Sequence, residues 1–137
     1  MANRDQGRLE GKVAIITGGG GGMGGAQARL FAEHGAAVCV ADNRLEAAEK
    51  VAGEVKKAGG RAIAVELDVR NADAWATAVV QTELEFGPVS LLCNNAGVLV
   101  NGPLVDTTDD DWNWLFNVNV MGVMNGIRTF VPRIREH

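Results

Sequence analysis

The chain has 137 residues, 47% of them apolar and 22% charged, with a net charge of −4. That is the length of one domain with chain enough for a core, and the absence of a Lys/Arg stripe argues against nucleic acid as a partner. No run approaches the roughly 18 apolar residues that cross a bilayer, and the polar start Met1-Ala2-Asn3-Arg4-Asp5-Gln6-Gly7-Arg8 lacks the apolar stretch of a secretory leader.

The expectation is therefore a cytoplasmic protein without a membrane partner. The two cysteines, Cys39 and Cys93, lie in apolar runs without metal-ligand spacing. They read as inert core thiols of a reducing compartment, and no metal site is expected.

In chain order, residues 11–17 read as a first strand, carried by Val13-Ala14-Ile15-Ile16. Next comes the loop Thr17-Gly18-Gly19-Gly20-Gly21-Gly22-Met23-Gly24-Gly25, then a helix to about residue 34 with Gly35 at its C′ position. His34, in the last turn, reads as a favourable charge against the helix dipole. Residues 36–41 form an apolar run ending in Asp42, a strand buried on both faces. A second helix spans 45–58 and closes at Gly59-Gly60; a third strand spans 61–67 and ends at Asp68-Val69. Asn71 or Asp73 caps a third helix that runs to about Phe86, before Gly87-Pro88. A fourth buried strand, 89–93, ends at Asn94-Asn95-Ala96-Gly97. After a loop, Thr107 or Thr108 caps one long final helix whose apolar stripe includes Trp112, Leu115, Phe116, Val123, Ile127, Phe130 and Ile134. Asn119 falls within that stripe, Pro132 kinks the last turns, and Gly122 and Gly126 permit close approach of another element.

This alternation implies an α/β fold of Rossmann type, a doubly wound parallel sheet in strand order 3-2-1-4 with helices on both faces. The ligand crevice belongs at the switch point between strands 1 and 4, and strand 1 keeps Cys39 and Cys93 apart, so no disulfide is expected. A strand, a glycine-rich turn and a helix N-terminus together present backbone N–H groups to a phosphate, which makes this a dinucleotide site. The five consecutive glycines leave the register open. Gly19/Gly21/Gly24 and Gly20/Gly22/Gly25 both fit G-x-G-x-x-G, whereas anchoring on Thr17 selects Gly18, Gly22 and Gly24. Asp42 stands 18 positions after Gly24, near the spacing of roughly 20 at which an acid meets the adenosine ribose. A carboxylate there accepts the ribose hydroxyls and repels a 2′-phosphate, favouring NAD over NADP, although Arg44 two residues on keeps NADP open. The bland alternative is an aspartate that caps the next helix. Asp68 is suited either to accept from the adenine amino group or to close a turn.

Thr17-Gly18-x-x-x-Gly22-Met23-Gly24, Asp42, Asp68-Val69, Asn94-Asn95-Ala96-Gly97 and Asn119 together resemble the short-chain dehydrogenase/reductase family from about Leu9 onward. The resemblance implies that the glycine loop holds the pyrophosphate and that Asp42 selects the ribose. It implies that Asp68-Val69 borders the adenine, and that Asn95, Ala96 and Gly97 support the sheet beside the cofactor. Asn119 then matches the asparagine of the catalytic tetrad, which helps hold a water in a proton relay. The alternative for Asn119 is a buried amide tying helix to sheet. The implied reaction is hydride transfer between NAD(P) and an alcohol or ketone, in a complete protein that is a homo-oligomer.

The family's Tyr-x-x-x-Lys is missing, because the chain contains no tyrosine. Residues 1–137 thus read as an incomplete NAD(P)-binding domain, truncated before strand 5 and unable to turn over alone. Strand 4 would then be an exposed sheet edge, and self-association or ready unfolding is expected. Competing readings are a non-catalytic dinucleotide sensor that ends at His137 and an S-adenosylmethionine methyltransferase. The motif Thr17-Gly18 and Asn94-Asn95-Ala96-Gly97 argue against the latter, and a P-loop NTPase is disfavoured because no Gly-Lys-Ser/Thr follows the glycines.

Overall fold

The computed structural model describes residues 7–136; Met1 to Gln6, on which the absence of a leader was partly read, and the terminal His137 lie outside the described residues. The elements are β1 (Val13–Thr17), α1 (Gly22–Glu33), β2 (Ala37–Asp42), α2 (Leu45–Lys57), β3 (Arg61–Glu66), α3 (Ala72–Phe86), β4 (Leu91–Cys93), α4 (Asp109–Phe116) and α5 (Gly122–Glu136). A five-residue π-helical segment, Asn117–Met121, joins the last two. The strands are all parallel in the order β3-β2-β1-β4, as expected from the alternation.

Every residue of β1 and β2 is buried, which is why both are continuous apolar runs rather than alternating ones. Successive side chains leave opposite faces of the sheet. Ile15, paired in register with Cys39, enters a core layer with Trp75, Val79 and Phe130 from α3 and α5. Ile16, paired with Val40, enters the opposite layer with Ala28, Val51 and Val55 from α1 and α2. Trp75 meets Phe130 edge to face at 6.5 Å and donates its indole N–H to the Val69 carbonyl at 3.0 Å. Gly126 makes room for that ring, since a Cβ there would lie 2.8 Å from a Trp75 ring carbon. Gly122 does the same against Val69, where a Cβ would come within 2.6 Å of a methyl. Both cysteines are free thiols. Burial pushes the Cys39 thiol up to about 11, and burial raises Cys93 as well.

Local capping resolves two choices. Asn71, not Asp73, caps α3, accepting from the Asp73 and Ala74 amides at 3.0 and 3.2 Å. Thr108, not Thr107, caps α4 in a reciprocal box with Asp111. His34 is the C-cap of α1, and its carbonyl accepts from the Leu9 N–H at 2.9 Å. Pro132 lies inside α5, which continues to Glu136.

Two expectations need correction. The final helix is not one regular α-helix but two, separated by the π segment. Of its apolar stripe, Phe130 is fully enclosed, whereas Trp112, Phe116, Ile127 and Ile134 are exposed. Only the face meeting α3 and the sheet finds partners among the described residues, and the rest of the stripe has nothing over it. The fourth strand is shorter and wetter than its sequence suggests. It comprises Leu91–Cys93, half-buried, because β1 alone flanks it. Ser90 lies before it and is pinned to Val13, whose N–H donates to the Ser90 hydroxyl at 3.1 Å. Among the described residues no helix is long and apolar enough to cross a membrane.

Candidate functional site

The carboxyl ends of all four strands open on one edge of the sheet, around a crevice of about 240 Å³. The expected residues that line it are Gly18, Asp42, Asp68, Val69, Ala96 and Gly97. Gly18 has φ +61°, and a Cβ on it would lie 3.0 Å from the Ala96 Cα. Gly24, in the first turn of α1, packs on the Gly18 carbonyl so closely that a Cβ would overlap it. These two positions require glycine, one for conformation and one for contact, and both belong to the register anchored on Thr17. Gly22 begins α1, and Met23 beside it is 77% exposed. Among the described residues no side chain caps α1, so its first-turn N–H groups face the loop without a partner from a cap. Such a terminus suits an anion, and the glycine cradle fits the pyrophosphate of a dinucleotide.

Thr17 joins the two sides of the crevice. Its hydroxyl, in a residue 1% exposed, donates to the Cys93 carbonyl at 3.3 Å and accepts from the Asn95 and Ala96 N–H groups at 3.1 and 3.0 Å. The Asn95 amide returns the connection, donating to the Thr17 carbonyl at 3.0 Å and the Gly18 carbonyl at 3.3 Å. Asn95 thus serves the site from behind, fixing the loop rather than lining the cavity.

Asp42 is 7% exposed. One carboxylate oxygen accepts from the Gly20 N–H at 3.0 Å, the other from the Arg44 N–H at 2.9 Å. Arg44 is the N-cap residue of α2, which among the described residues has no side-chain cap, so Asp42 closes the turn before the helix rather than capping it, and it borders the crevice. Asp68 is gripped by Arg70, whose guanidinium donates at 2.7 and 3.0 Å. That hydrogen bonding holds the Asp68 carboxyl below the usual carboxylate range.

Asn119 departs from its expected setting. It sits in the π segment with an exposed side chain, not in a buried stripe, and does not line the cavity. Its amide pairs twice with Val98, accepting from the N–H and donating to the carbonyl, both at 2.8 Å. The helix is thereby tied to the loop that follows Asn94-Asn95-Ala96-Gly97. An interrupted helix of this kind is often found at functional sites.

Sequence reasoning missed Arg70, Trp114 and Val118, which also line the crevice. Trp114 and Val118 stand four positions apart on one helical face, a spacing that could have been found. Arg70 gave no signal beyond its nearness to Asp68.

A family model described as short chain dehydrogenase matches residues 12–137. The C alpha-dehydrogenase of Sphingobium sp. (strain NBRC 103272 / SYK-6) is 45% identical over 124 residues, covering 90% of this chain and 41% of that protein. The 2,5-dichloro-2,5-cyclohexadiene-1,4-diol dehydrogenase LinX of Sphingobium indicum is 40% identical over 134 residues, covering 98% of this chain and 52% of that protein. A short-chain dehydrogenase/reductase from Burkholderia phymatum, solved in complex with NAD, superposes with a TM-score of 0.88 at 40% identity, over 92% of this chain and 45% of that one. The chain spans about half the length of the curated relatives it matches. The glycine cradle, the parallel sheet and these likenesses agree: the chain belongs to the short-chain dehydrogenase family.

Proposed function

We propose that this chain forms the cofactor-binding part of an NAD-dependent oxidoreductase that transfers hydride between nicotinamide and an alcohol or ketone. The observation that carries the reading is the Gly18–Gly24 cradle under an uncapped helix N-terminus, with the Asp42 carboxyl at its side. The named dehydrogenase relatives support the reaction class, and the NAD complex of the Burkholderia phymatum protein supports the cofactor. When bound, the nicotinamide ring would supply or take up the hydride.

The chain's own residues bind and orient. The loop amides and the first turn of α1 receive the pyrophosphate. Asp42 accepts from ribose hydroxyls with its remaining lone pairs and repels a 2′-phosphate, which favours NAD over NADP. Asp68, with Val69, faces the adenine edge. Asn119, held by Val98, positions a water for proton transfer, as the family resemblance implies. The group that moves the proton in this family is a tyrosine, and the chain has none. The 137-residue chain by itself therefore binds cofactor without turnover. A homo-oligomer of the complete protein is what the family resemblance implies.

Calorimetric titration with NAD, NADP and S-adenosylmethionine tests the reading. NAD is expected to bind at least about tenfold more tightly than NADP. Binding of S-adenosylmethionine without NAD, or no dinucleotide binding at all, overturns it. Cofactor binding by the full-length protein without turnover of any alcohol or ketone would make it a sensor module instead.

A further inference from the structure

We propose that Asp42 is also a positioning residue for the glycine loop, which it holds in its phosphate-cradling shape before any ligand arrives. Residues 18–22 are five glycines in succession, a segment with no side chains to stiffen it and a large conformational entropy to lose on ordering. The structure docks the middle of this segment onto the end of β2. The Gly19 N–H donates to the Ala41 carbonyl at 3.0 Å, and the Gly20 N–H donates to the Asp42 carboxylate at 3.0 Å. The fit is close, since a Cβ on Gly20 would stand 2.8 Å from that carboxylate oxygen and 2.7 Å from the Ala47 methyl. The second oxygen is fixed by the Arg44 N–H at 2.9 Å, so the carboxyl cannot swing away without losing both bonds. The Arg44 side chain is no substitute anchor: its Nε is 3.9 Å away and the side chain is 74% exposed. One carboxylate thus ties the pyrophosphate loop to the residue that faces the ribose. A substitution that removes this charge to admit a 2′-phosphate would loosen the loop as well.

The ribose half of this statement rests on the dinucleotide reading; the loop half is measurable without any ligand. In the full-length protein, amide exchange at Gly19 and Gly20 is compared with that at Ile15 and Val38, in wild type, Asp42→Ala and Asp42→Asn. The loss of one hydrogen bond to a charged group is expected to speed exchange at Gly20 about tenfold in Asp42→Ala, with Ile15 and Val38 unchanged. Asp42→Asn, which keeps a single acceptor oxygen for two amides, is expected to fall between. NAD affinity should weaken in the same order as the loop loosens. Loop exchange unchanged in both variants while NAD affinity falls would overturn the proposal, leaving Asp42 a ribose contact alone. Equal acceleration at Gly20, Ile15 and Val38 in both variants would overturn it too, as a general loss of stability. A wild type that binds no NAD, with the loop still loosening locally, would sink the dinucleotide reading and uphold the clamp.

Discussion

Replacing Thr17 by valine keeps the shape of a residue that is 1% exposed and removes only its hydroxyl. Three hydrogen bonds go with it: one to the Cys93 carbonyl and two from the Asn95 and Ala96 N–H groups. The substitution leaves the Ala96 N–H facing a methyl group, whereas the Asn95 N–H keeps the Cys93 carbonyl at 2.9 Å. An unsatisfied buried donor costs about 1–3 kcal/mol, and half-burial of Ala96 lowers it toward the smaller figure, so a loss of about 1–2 kcal/mol is expected. Thr17→Ser keeps the hydroxyl and loses one methyl, for about 1 kcal/mol. Urea unfolding followed by far-UV circular dichroism reads both values. Cofactor titration of the same variants should show Thr17→Val weakened and Thr17→Ser close to wild type. A Thr17→Val protein within about 0.5 kcal/mol of wild type, with its cofactor affinity intact, would refute the idea that this hydroxyl joins the two sides of the crevice.

Gly24→Ala places a methyl on the Gly18 carbonyl; dinucleotide binding should be lost in titration while the far-UV circular dichroism stays that of the parent, and retained binding would contradict the cradle. The Cys39 thiol, pushed from 9.0 to about 11 mainly by burial, should resist a thiol reagent in the native state and react on unfolding. Because the folded state holds this proton more tightly, its contribution to stability is complete below pH 9.0 and is lost as pH rises toward about 11, which unfolding curves across that window would record. Arg70→Ala removes the hydrogen bonds that lower the Asp68 carboxyl; its titration followed by NMR should move up toward the ordinary value. Since both side chains are more than a third exposed, stability should change by less than about 0.5 kcal/mol, and a larger loss would mean that the pair anchors the β3–α3 turn.

Much of the fold and part of the site could be read from local chemistry. The apolar runs of β1 and β2, the glycine stops after α1, α2 and α3, and the strand–loop–helix alternation each act over a few residues. They suffice to order the sheet 3-2-1-4 and to bring Thr17, Asp42, Asp68 and Asn95 to one edge, since handedness restricts the crossovers. The choice among glycine registers was not local. Gly24 is common to two registers, and a Cβ on Gly19 or Gly20 would be crowded too. What sets the Thr17-anchored register apart is the positive φ of Gly18 and Gly22 and the approach of Ala96 to Gly18 from 78 residues further along the chain.

What only the tertiary structure decided are the contacts between segments remote in sequence. Sequence placed Asp42 at the end of the second strand, but not its grip on Gly20; it placed Asn119 on the last helix, but not its pairing with Val98 or the π segment that presents it. Of the apolar stripe it marked on the last helices, Phe130 is buried while Trp112, Phe116, Ile127 and Ile134 stand exposed. Hydrophobic periodicity reports which face a helix must cover, not whether a neighbour is there to cover it. Hydrogen-bonding side chains carry no such periodicity, because the partner of a lone carboxylate or amide is chosen by where the packed sheet delivers a backbone N–H or carbonyl.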